Sequence, residues 1–298
     1  MAPSERCIVT GASGFVGSGL SRVLGAHCEP LALGGADWSQ RVAEVNWRDA
    51  TVFHLAARVH AHGDAEAAFQ HDNVEKTETL ARAAASNGAR RFVFLSSIKV
   101  NGEQTTGQRF QASDPAKPED AYARSKWRAE QAVAEVSRSA GLDHCIVRSP
   151  LVIGPGAKGN LVSLLRLADS PWPLPFAAID NRRTFIARDD LADLLQRCGF
   201  AAEASGRTFL AGDPDSVSTP RLLTVLRRAM GRSARLFHVP VGLLEALSGA
   251  VSLGASMQRL TRSLEVDAGD AMRLLGWSPR RTMDEALAEM GRAAKGAA

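Results

Sequence analysis

Tyrosine, lysine and cysteine are scarce in this chain of 298 residues. It contains a single tyrosine and six lysines, and its four cysteines show no paired short spacing. Without such spacing, neither a disulfide framework nor a metal site is predicted, and a reduced cytoplasmic setting fits best. The sequence also lacks a signal-type N-terminal segment and any apolar run near the roughly 18 residues of a membrane span, so no membrane partner is predicted.

The charge balance excludes a further class of protein. Lysine and arginine total 36 against 32 acidic residues, but no basic run is interleaved with aromatic residues. Nucleic-acid binding is therefore not predicted. A hydrophobic content of 45% and a charged content of 23% are ordinary for a soluble globular protein. The length suits one large α/β domain, or one domain with a smaller partner.

A glycine-rich turn follows the first apolar run, residues 6–10. The turn consists of Gly11-Ala12-Ser13-Gly14-Phe15-Val16-Gly17 and leads into a helix predicted over 15–24. Close backbone approach and a helix N-terminus together suit a pyrophosphate, so the turn predicts a bound dinucleotide, NAD or NADP. The next predicted strand ends in Leu33-Gly34-Gly35-Ala36-Asp37, with neither a carboxylate nor an arginine at its tip. The choice between the two cofactors therefore stays open.

Strands and helices alternate through the first half of the chain. Strands are predicted at 30–33, 51–55, 91–97 and 143–148, and helices at 72–86 and 122–140. This alternation predicts an α/β fold, a Rossmann-type doubly wound parallel sheet with a smaller, mostly helical C-terminal substrate domain. We expect the NAD(P)-binding domain to cover residues 1–153 with a return at about 183–210, and the substrate domain to cover 154–182 and 211–298.

The single tyrosine, Tyr122, precedes Lys126 by four residues, so both side chains share one face of a helix. An ammonium group beside a phenol lowers the phenol's pKa, and a phenol tuned toward neutral pH is a general acid/base for alcohol–ketone interconversion. Ser97 ends a predicted strand, at the edge of a parallel sheet where ligands bind. Together the three residues predict hydride chemistry at a carbinol carbon.

Motifs in the same order along nearly the whole chain resemble those of the extended short-chain dehydrogenases/reductases, in the NAD-dependent epimerase/dehydratase group. They are Gly11…Gly14…Gly17, Phe53-His54-Leu55-Ala56-Ala57, Asn73-Val74, Leu95-Ser96-Ser97-Ile98-Lys99-Val100-Asn101-Gly102, Tyr122…Lys126, Arg148-Ser149-Pro150…Gly154-Pro155-Gly156 and Arg183-Thr184-Phe185-Ile186. A narrower resemblance is to bacterial UDP-N-acetylhexosamine 4-epimerases and 4-keto-reductases of surface-polysaccharide synthesis.

The resemblance implies a role for each matching residue. Tyr122 would be the base at the sugar 4-OH, Ser97 would orient that oxygen, and Lys126 would bind the nicotinamide ribose. The cofactor-binding set it implies is Gly11, Ser13, Gly14, Phe15, Val16, Gly17, Leu55, Ala56, Ala57, Asn73, Tyr122, Lys126 and Pro150. The substrate-binding set is Ser97, Lys99, Asn160, Leu161 and Arg183, of which Arg183 and Asn160 would meet a nucleotide-sugar diphosphate. The family's helix pairing implies a homodimer.

Three alternatives remain open at this point. A 4-epimerase and an NAD(P)H-dependent 4-keto-reductase use the same Ser–Tyr–Lys group, and epimerization is the preferred interpretation. Lys99 stands where dehydratases of the family carry Glu, which argues against 4,6-dehydration. A reductase of a non-sugar ketone is disfavoured by Arg183 and Asn160. A non-catalytic NAD(P)-sensing protein is disfavoured because the Tyr/Lys pair is intact.

Overall fold

The computed structural model describes residues 6–60, 64–250 and 254–296. Six parallel strands form the main sheet in the order β2-β1-β3-β4-β5-β8. They are β1 (Cys7–Thr10), β2 (Cys28–Leu31), β3 (Thr51–His54), β4 (Arg91–Ser97), β5 (His144–Ser149) and β8 (Arg207–Leu210). The strands are apolar because both faces of the sheet are covered by helices, as is usual for parallel sheets. The predicted Rossmann-type sheet is confirmed.

Two hydrophobic clusters cover the sheet. On one face pack α1 (Phe15–Leu24), α7 (Arg188–Phe200) and α11 (Gly269–Leu275). On the other pack α2 (Trp38–Glu44), α4 (Lys76–Ser86) and α5 (Ala121–Ala140). Because strand side chains alternate, neighbours such as Ile8 and Val9 enter opposite clusters. The C-terminal segment 268–277 also packs on the sheet, although the expected division assigned it to the substrate domain.

A third cluster forms beside the carboxyl edge of the sheet. It is built on a two-stranded parallel sheet of β6 (Leu151–Ile153) and β7 (Phe185–Ala187). Helices α6 (Asn160–Asp169), α8 (Thr219–Ala229), α9 (Val241–Ala250), α10 (Gly254–Thr261) and α12 (Met283–Gly296) surround it. This part is mostly helical, as predicted. None of the helices in the described ranges combines the length and apolar character that crossing a bilayer requires.

The observed boundaries differ from the predicted ones in two places that matter for the site. The second strand ends at Leu31, so residues 32–35 form an irregular segment at its tip. The helix predicted over 72–86 begins earlier, with α3 (Ala65–Phe69), and runs through a π-helical segment, Gln70–Glu75, before α4. Such segments are rare and occur often at functional sites. The sequence also predicts a helix over 243–253; the structure has α9 (Val241–Ala250) there, and residues 251–253 lie outside the described residues.

A long connection ties the two parts together. Residues 101–120, between β4 and α5, run along the segment 262–267 of the C-terminal half. Backbone bonds join Thr105 to Ser263, at 2.9 Å, and Phe110 to Glu265 and Asp267, each at 2.9 Å. The loop that follows Ser97 is therefore held against the C-terminal segment that follows α10.

Candidate active site

A cavity of about 850 Å³ opens at the carboxyl ends of β1, β2 and β3. Its walls come from the glycine turn, the irregular segment after β2, the loop after β3 and two side chains of the following helix: Gly11, Ala12, Ser13, residues 30–35, Ala56, Ala57, residues 58–60, Asp72 and Lys76. β1 lies between β2 and β3, so the cavity stands where the strand order reverses, the usual ligand crevice of an open α/β sheet.

The glycines of the turn are required by close packing. A Cβ on Gly11, whose φ is +69°, would stand 2.8 Å from the backbone nitrogen of Ala56. A Cβ on Gly17 would stand 2.0 Å from the carbonyl oxygen of Gly11, so α1 begins directly on the turn. Backbone thus forms the floor of the cavity beside a helix N-terminus, an arrangement that fits a dinucleotide pyrophosphate.

The predicted cofactor residues divide into two groups. Gly11, Ser13, Ala56 and Ala57 line the cavity. The other nine do not: Gly14, Phe15, Val16, Gly17, Leu55, Asn73, Tyr122, Lys126 and Pro150. The side chains of Val16 and Leu55 pack against the sheet core, and Phe15 lies under the Arg188 guanidinium at 5.5 Å. These side chains therefore support the turn, and any contact they make with a dinucleotide would be through backbone.

The far end of the cavity carries charges that the sequence motifs did not indicate. Lys76 Nζ donates to the carbonyl of Leu33 at 3.1 Å and pairs with Asp72 at 2.6 Å. Asp72 also pairs with Arg58 at 2.5 Å. Asp37, the first acid along the chain after β2, is engaged by Arg41. Among the described residues no free carboxylate stands at this end of the cavity, and the choice between NAD and NADP is not decided by these residues.

A buried polar network links the cavity to the helix that carries Tyr122. Asn73 Oδ1 accepts from the backbone N–H of Arg58 at 2.8 Å, and Asn73 Nδ2 donates to the Arg58 carbonyl and to Ser125 Oγ, each at 2.9 Å. His54 lies between Thr10, at 2.6 Å, and Thr77, at 2.8 Å. Burial, with a smaller contribution from Lys126, lowers the pKa of His54 to about 3, so its imidazole is neutral. Asn73 therefore holds the backbone of the loop after β3, at Arg58, through its side-chain amide.

Ser97, Tyr122 and Lys126 meet at the carboxyl end of β4. The Ser97 hydroxyl lies near enough to the Tyr122 phenol to favour its ionised form, and the ring of Phe69 packs edge-on against Tyr122 at 6.0 Å. Lys126 is only 2% exposed. Within the described part of the chain its Nζ lies over the face of Phe94 at 4.0 Å and has no hydrogen-bond partner. A buried ammonium without such partners is a strong binding group for ligand hydroxyls.

The electrostatics of this group differ from the expected ones. Burial raises the pKa of Tyr122 to about 12. The neighbouring Ser97 hydroxyl opposes this increase in the pKa, and the Asp120 carboxylate contributes to it. Burial lowers the pKa of Lys126 to about 7, against the opposing charge of Glu130. The expectation that Lys126 holds the pKa of Tyr122 down is therefore wrong for the protein's own groups, because burial acts on both residues and favours the neutral form of each.

The predicted substrate residues are placed unequally. Asn160 is exposed at the N-terminus of α6, but the Leu161 side chain is 2% exposed and belongs to the C-terminal core. A side-chain contact of Leu161 with substrate is therefore not supported. Lys99 lies two residues after Ser97, yet its ammonium is already bound by Glu103 at 2.7 Å and Asp120 at 2.6 Å.

Arg183 has no carboxylate partner within the described residues and is partly buried. Its Nη1 donates to the Arg262 carbonyl at 3.1 Å. Burial, and after it the charge of Arg259, lowers the pKa of Arg183 to about 10, and Glu103 opposes both effects. A guanidinium group that has a second one nearby and no carboxylate partner can bind an anionic ligand. Arg259 carried no sequence signal, because its position on α10 follows only from packing.

Known proteins share both the sequence and the fold. The model of the NAD dependent epimerase/dehydratase family matches residues 7–212. UDP-glucose 4-epimerase of Vibrio cholerae is 31% identical over 96% of this chain and 94% of its own length. A dTDP-6-deoxy-L-talose 4-dehydrogenase (NAD(P)(+)) of Kitasatospora kifunensis is 27% identical over 73% of this chain and 67% of its own.

Two solved structures cover almost the whole fold. UDP-glucuronic acid 4-epimerase from Bacillus cereus, in complex with NAD, has a TM-score of 0.76 at 19% identity and covers 98% of this chain and 99% of that one. RMD from Pseudomonas aeruginosa, complexed with NADPH, has a TM-score of 0.78 at 21% identity and covers 98% and 100%.

Fold, cavity and relatives together define an NAD(P)-dependent enzyme of the epimerase/reductase type. The family match covers more than half of the chain, and the first relative exceeds 30% identity over nearly its full length. The chain therefore belongs to the NAD-dependent epimerase/dehydratase family.

Proposed function

We propose that the enzyme is a nucleotide-sugar 4-epimerase that acts at C4 of a hexose linked to a diphosphate, with UDP as the preferred nucleotide. The observation that carries this proposal is that the Ser97 hydroxyl lies beside the Tyr122 phenol, one helical turn from the buried side chain of Lys126. A bound NAD(P) would supply a nicotinamide that takes hydride from C4 and returns it. The chain's own residues would supply proton transfer, orientation and charge.

Tyr122 would remove the proton from the sugar 4-oxygen and later return it. Ser97 would hold that oxygen by a second hydrogen bond, which fixes the distance over which the proton moves. Lys126 would donate to the hydroxyls of the nicotinamide ribose, the partners that its Nζ lacks within the protein. Gly11, Ser13, Ala56 and Ala57 would line the path of the pyrophosphate and ribose, beside the N-terminus of α1.

Arg183 and Arg259 would hold the substrate's diphosphate. Both guanidinium groups lack a carboxylate partner in the described residues, and Arg259 disfavours the charge of Arg183. A diphosphate between them would remove that effect and form charge-assisted hydrogen bonds. Asn160, exposed at the start of α6, would add an amide donor. The same phosphate chemistry disfavours a small ketone as substrate.

A 4-keto-sugar reductase is the second candidate, favoured by the relative named as a 4-dehydrogenase that uses NAD(P)(+). The two reactions differ only in the fate of the ketone: an epimerase rebinds it with the other face toward the cofactor, and a reductase releases the alcohol. Incubation with UDP-glucose or UDP-N-acetylglucosamine distinguishes them. An epimerase yields the 4-epimer without net change in NADH absorbance, whereas a reductase consumes NAD(P)H only when a 4-keto sugar is supplied.

The Tyr122→Phe variant tests the assignment of the base. It removes the proton-transfer group and keeps the ring that packs on Phe69, so turnover should fall by about 10²- to 10⁴-fold. NAD(P) affinity, measured by calorimetry, should change little, which separates lost chemistry from lost folding. Turnover within a few-fold of the wild type would contradict the role of Tyr122. If neither the wild type nor the variant turns over a nucleotide sugar, the non-catalytic NAD(P)-sensing alternative is the one that fits.

The homodimer, the cytoplasmic location and the division into an NAD(P)-binding and a substrate domain belong to the same proposal. We expect the exposed surfaces of α4 and α5 to form the dimer interface, through the helix pairing that the family resemblance implies. Sedimentation equilibrium of the purified protein tests the dimer directly.

A further inference from the structure

Lys99 contacts both elements that carry the reacting oxygens. Its Nζ pairs with Glu103 at 2.7 Å and with Asp120 Oδ2 at 2.6 Å. The backbone N–H of Lys99 donates to Ser97 Oγ at 3.3 Å. Asp120 Oδ1 accepts from the backbone N–H of Ala123 at 2.6 Å and so caps the N-terminus of α5. Tyr122 lies in the turn that this cap begins.

We propose that Lys99 is a positioning residue, whose ion pair with Asp120 fixes the first turn of α5 against the end of β4 and thereby sets the distance between Ser97 and Tyr122. This inference rests on the proposed function of those two residues. It also replaces the predicted role of Lys99 as a substrate ligand, because two of the three ammonium donors are already used.

The charges around the phenol support the proposal. They are Asp120 at the cap, Lys126 one turn further along α5, and Lys99 with Glu103 on the loop after β4; Glu66 on α3 is paired with Arg124 and Arg128. Asp120 raises the pKa of Tyr122, after the larger effect of burial. Burial is the largest single effect and raises the pKa of Asp120, but the Lys99 bond and charge, the Ala123 N–H and Glu103 together lower it below its usual value. Lys99 therefore keeps Asp120 charged while compensating its field at the phenol.

The sign of the effect follows. Replacing Lys99 by a neutral side chain leaves the Asp120 charge uncompensated, so the pKa of Tyr122 should rise. Replacing Asp120 by Asn removes that charge but keeps a good helix cap, so the pKa should fall. In the double variant no charge remains at either position, and the Lys99 replacement should have no further effect.

The test compares pH profiles of kcat/KM for the wild type, Lys99→Met, Asp120→Asn and the double variant, with Lys99→Arg as the conservative replacement. The apparent pKa of the limb that reports the base should rise by about one unit in Lys99→Met and fall in Asp120→Asn. In Lys99→Arg it should return nearly to the wild-type value. Glu103→Gln is the matched control: it also removes one carboxylate from Lys99 but leaves the cap intact, so its limb should stay in place.

A direct measurement keeps the inference separate from the proposed reaction. Tyr122 is the only tyrosine, so the near-ultraviolet absorbance of ionised tyrosine reports this residue alone in each variant. Its titration should move in the same directions even if no sugar nucleotide is turned over. The proposal would be overturned if Lys99→Met raised KM for the substrate while the pH limb and the tyrosine titration did not move, and if the same KM effect appeared in the Asp120→Asn background. Lys99 would then be a substrate ligand.

Discussion

The buried ion pair between Glu130 and Arg148 should contribute strongly to stability. Arg148 donates to Glu130 through Nη2 at 2.7 Å and Nε at 3.0 Å, and the two side chains are 6% and 2% exposed. Glu130→Gln leaves the Arg148 charge buried without its counter-charge, which costs about 3–5 kcal/mol. For a chain of this length the unfolding entropy is about 0.6 kcal/mol/K, so Tm should fall by about 5–8 °C.

The matched control is Glu78→Gln. Glu78 is also a helical glutamate paired with an arginine, Arg82, at 2.7 Å, but the side chains are 57% exposed for Arg82 and 41% for Glu78. An exposed pair of this kind is worth about 0–0.5 kcal/mol, so Tm should change by less than about 1 °C. Thermal unfolding followed by circular dichroism measures both variants. Equal Tm changes in the two would refute the conclusion that burial makes the Glu130 pair important.

Two further predictions concern ligands. Arg183→Ala should weaken UDP binding by about tenfold or more in calorimetry, whereas Arg182→Ala, which removes an exposed guanidinium already paired with Glu265, should not; equal losses would contradict a diphosphate site at Arg183. Gly11→Ala should reduce NAD(P) affinity more than Gly25→Ala does, since both positions have positive φ but only a Cβ at 11 would meet backbone; equal affinities would contradict the close packing of the turn.

Much of the architecture was predictable because the signals are local. The strand before Gly11, the glycine turn and α1 follow from apolar runs, a turn composition and a helical period, and the structure confirms them. The predicted second and third strands, at 30–33 and 51–55, are also too close in sequence for a further strand and helix to lie between them. In the sheet, β2 is an edge strand with only α2 between it and β3, where the usual fold has a further strand.

The charged parts of the site were not predictable because their partners come from distant segments. Lys76 reaches Leu33 across 43 residues, and Arg183 meets the Arg262 carbonyl across 79 residues. No periodicity in the sequence indicates such pairs. Asp120 is of a residue type favoured at helix N-caps, but it stands two residues before the predicted helix start at 122, so the sequence did not indicate it as the cap. Leu161 was assigned to the substrate by its motif alone, and a motif does not indicate whether a side chain is buried; that of Leu161 is.

The pKa values of Tyr122 and Lys126 also depended on information that spacing lacks. A lysine one turn from a tyrosine suggests a stabilised phenolate, but that argument holds only where solvent or partners support the ammonium. Here burial moves both groups toward neutrality, so near neutral pH the titrating group is Lys126 and the phenol keeps its proton. Hydrogen-bond acceptors brought to the Lys126 ammonium would raise its pKa and, through its charge, lower that of the phenol. In the proposed reaction, proton transfer by Tyr122 would therefore be coupled to what Lys126 binds, and Tyr122 would become an effective base only when that partner is in place.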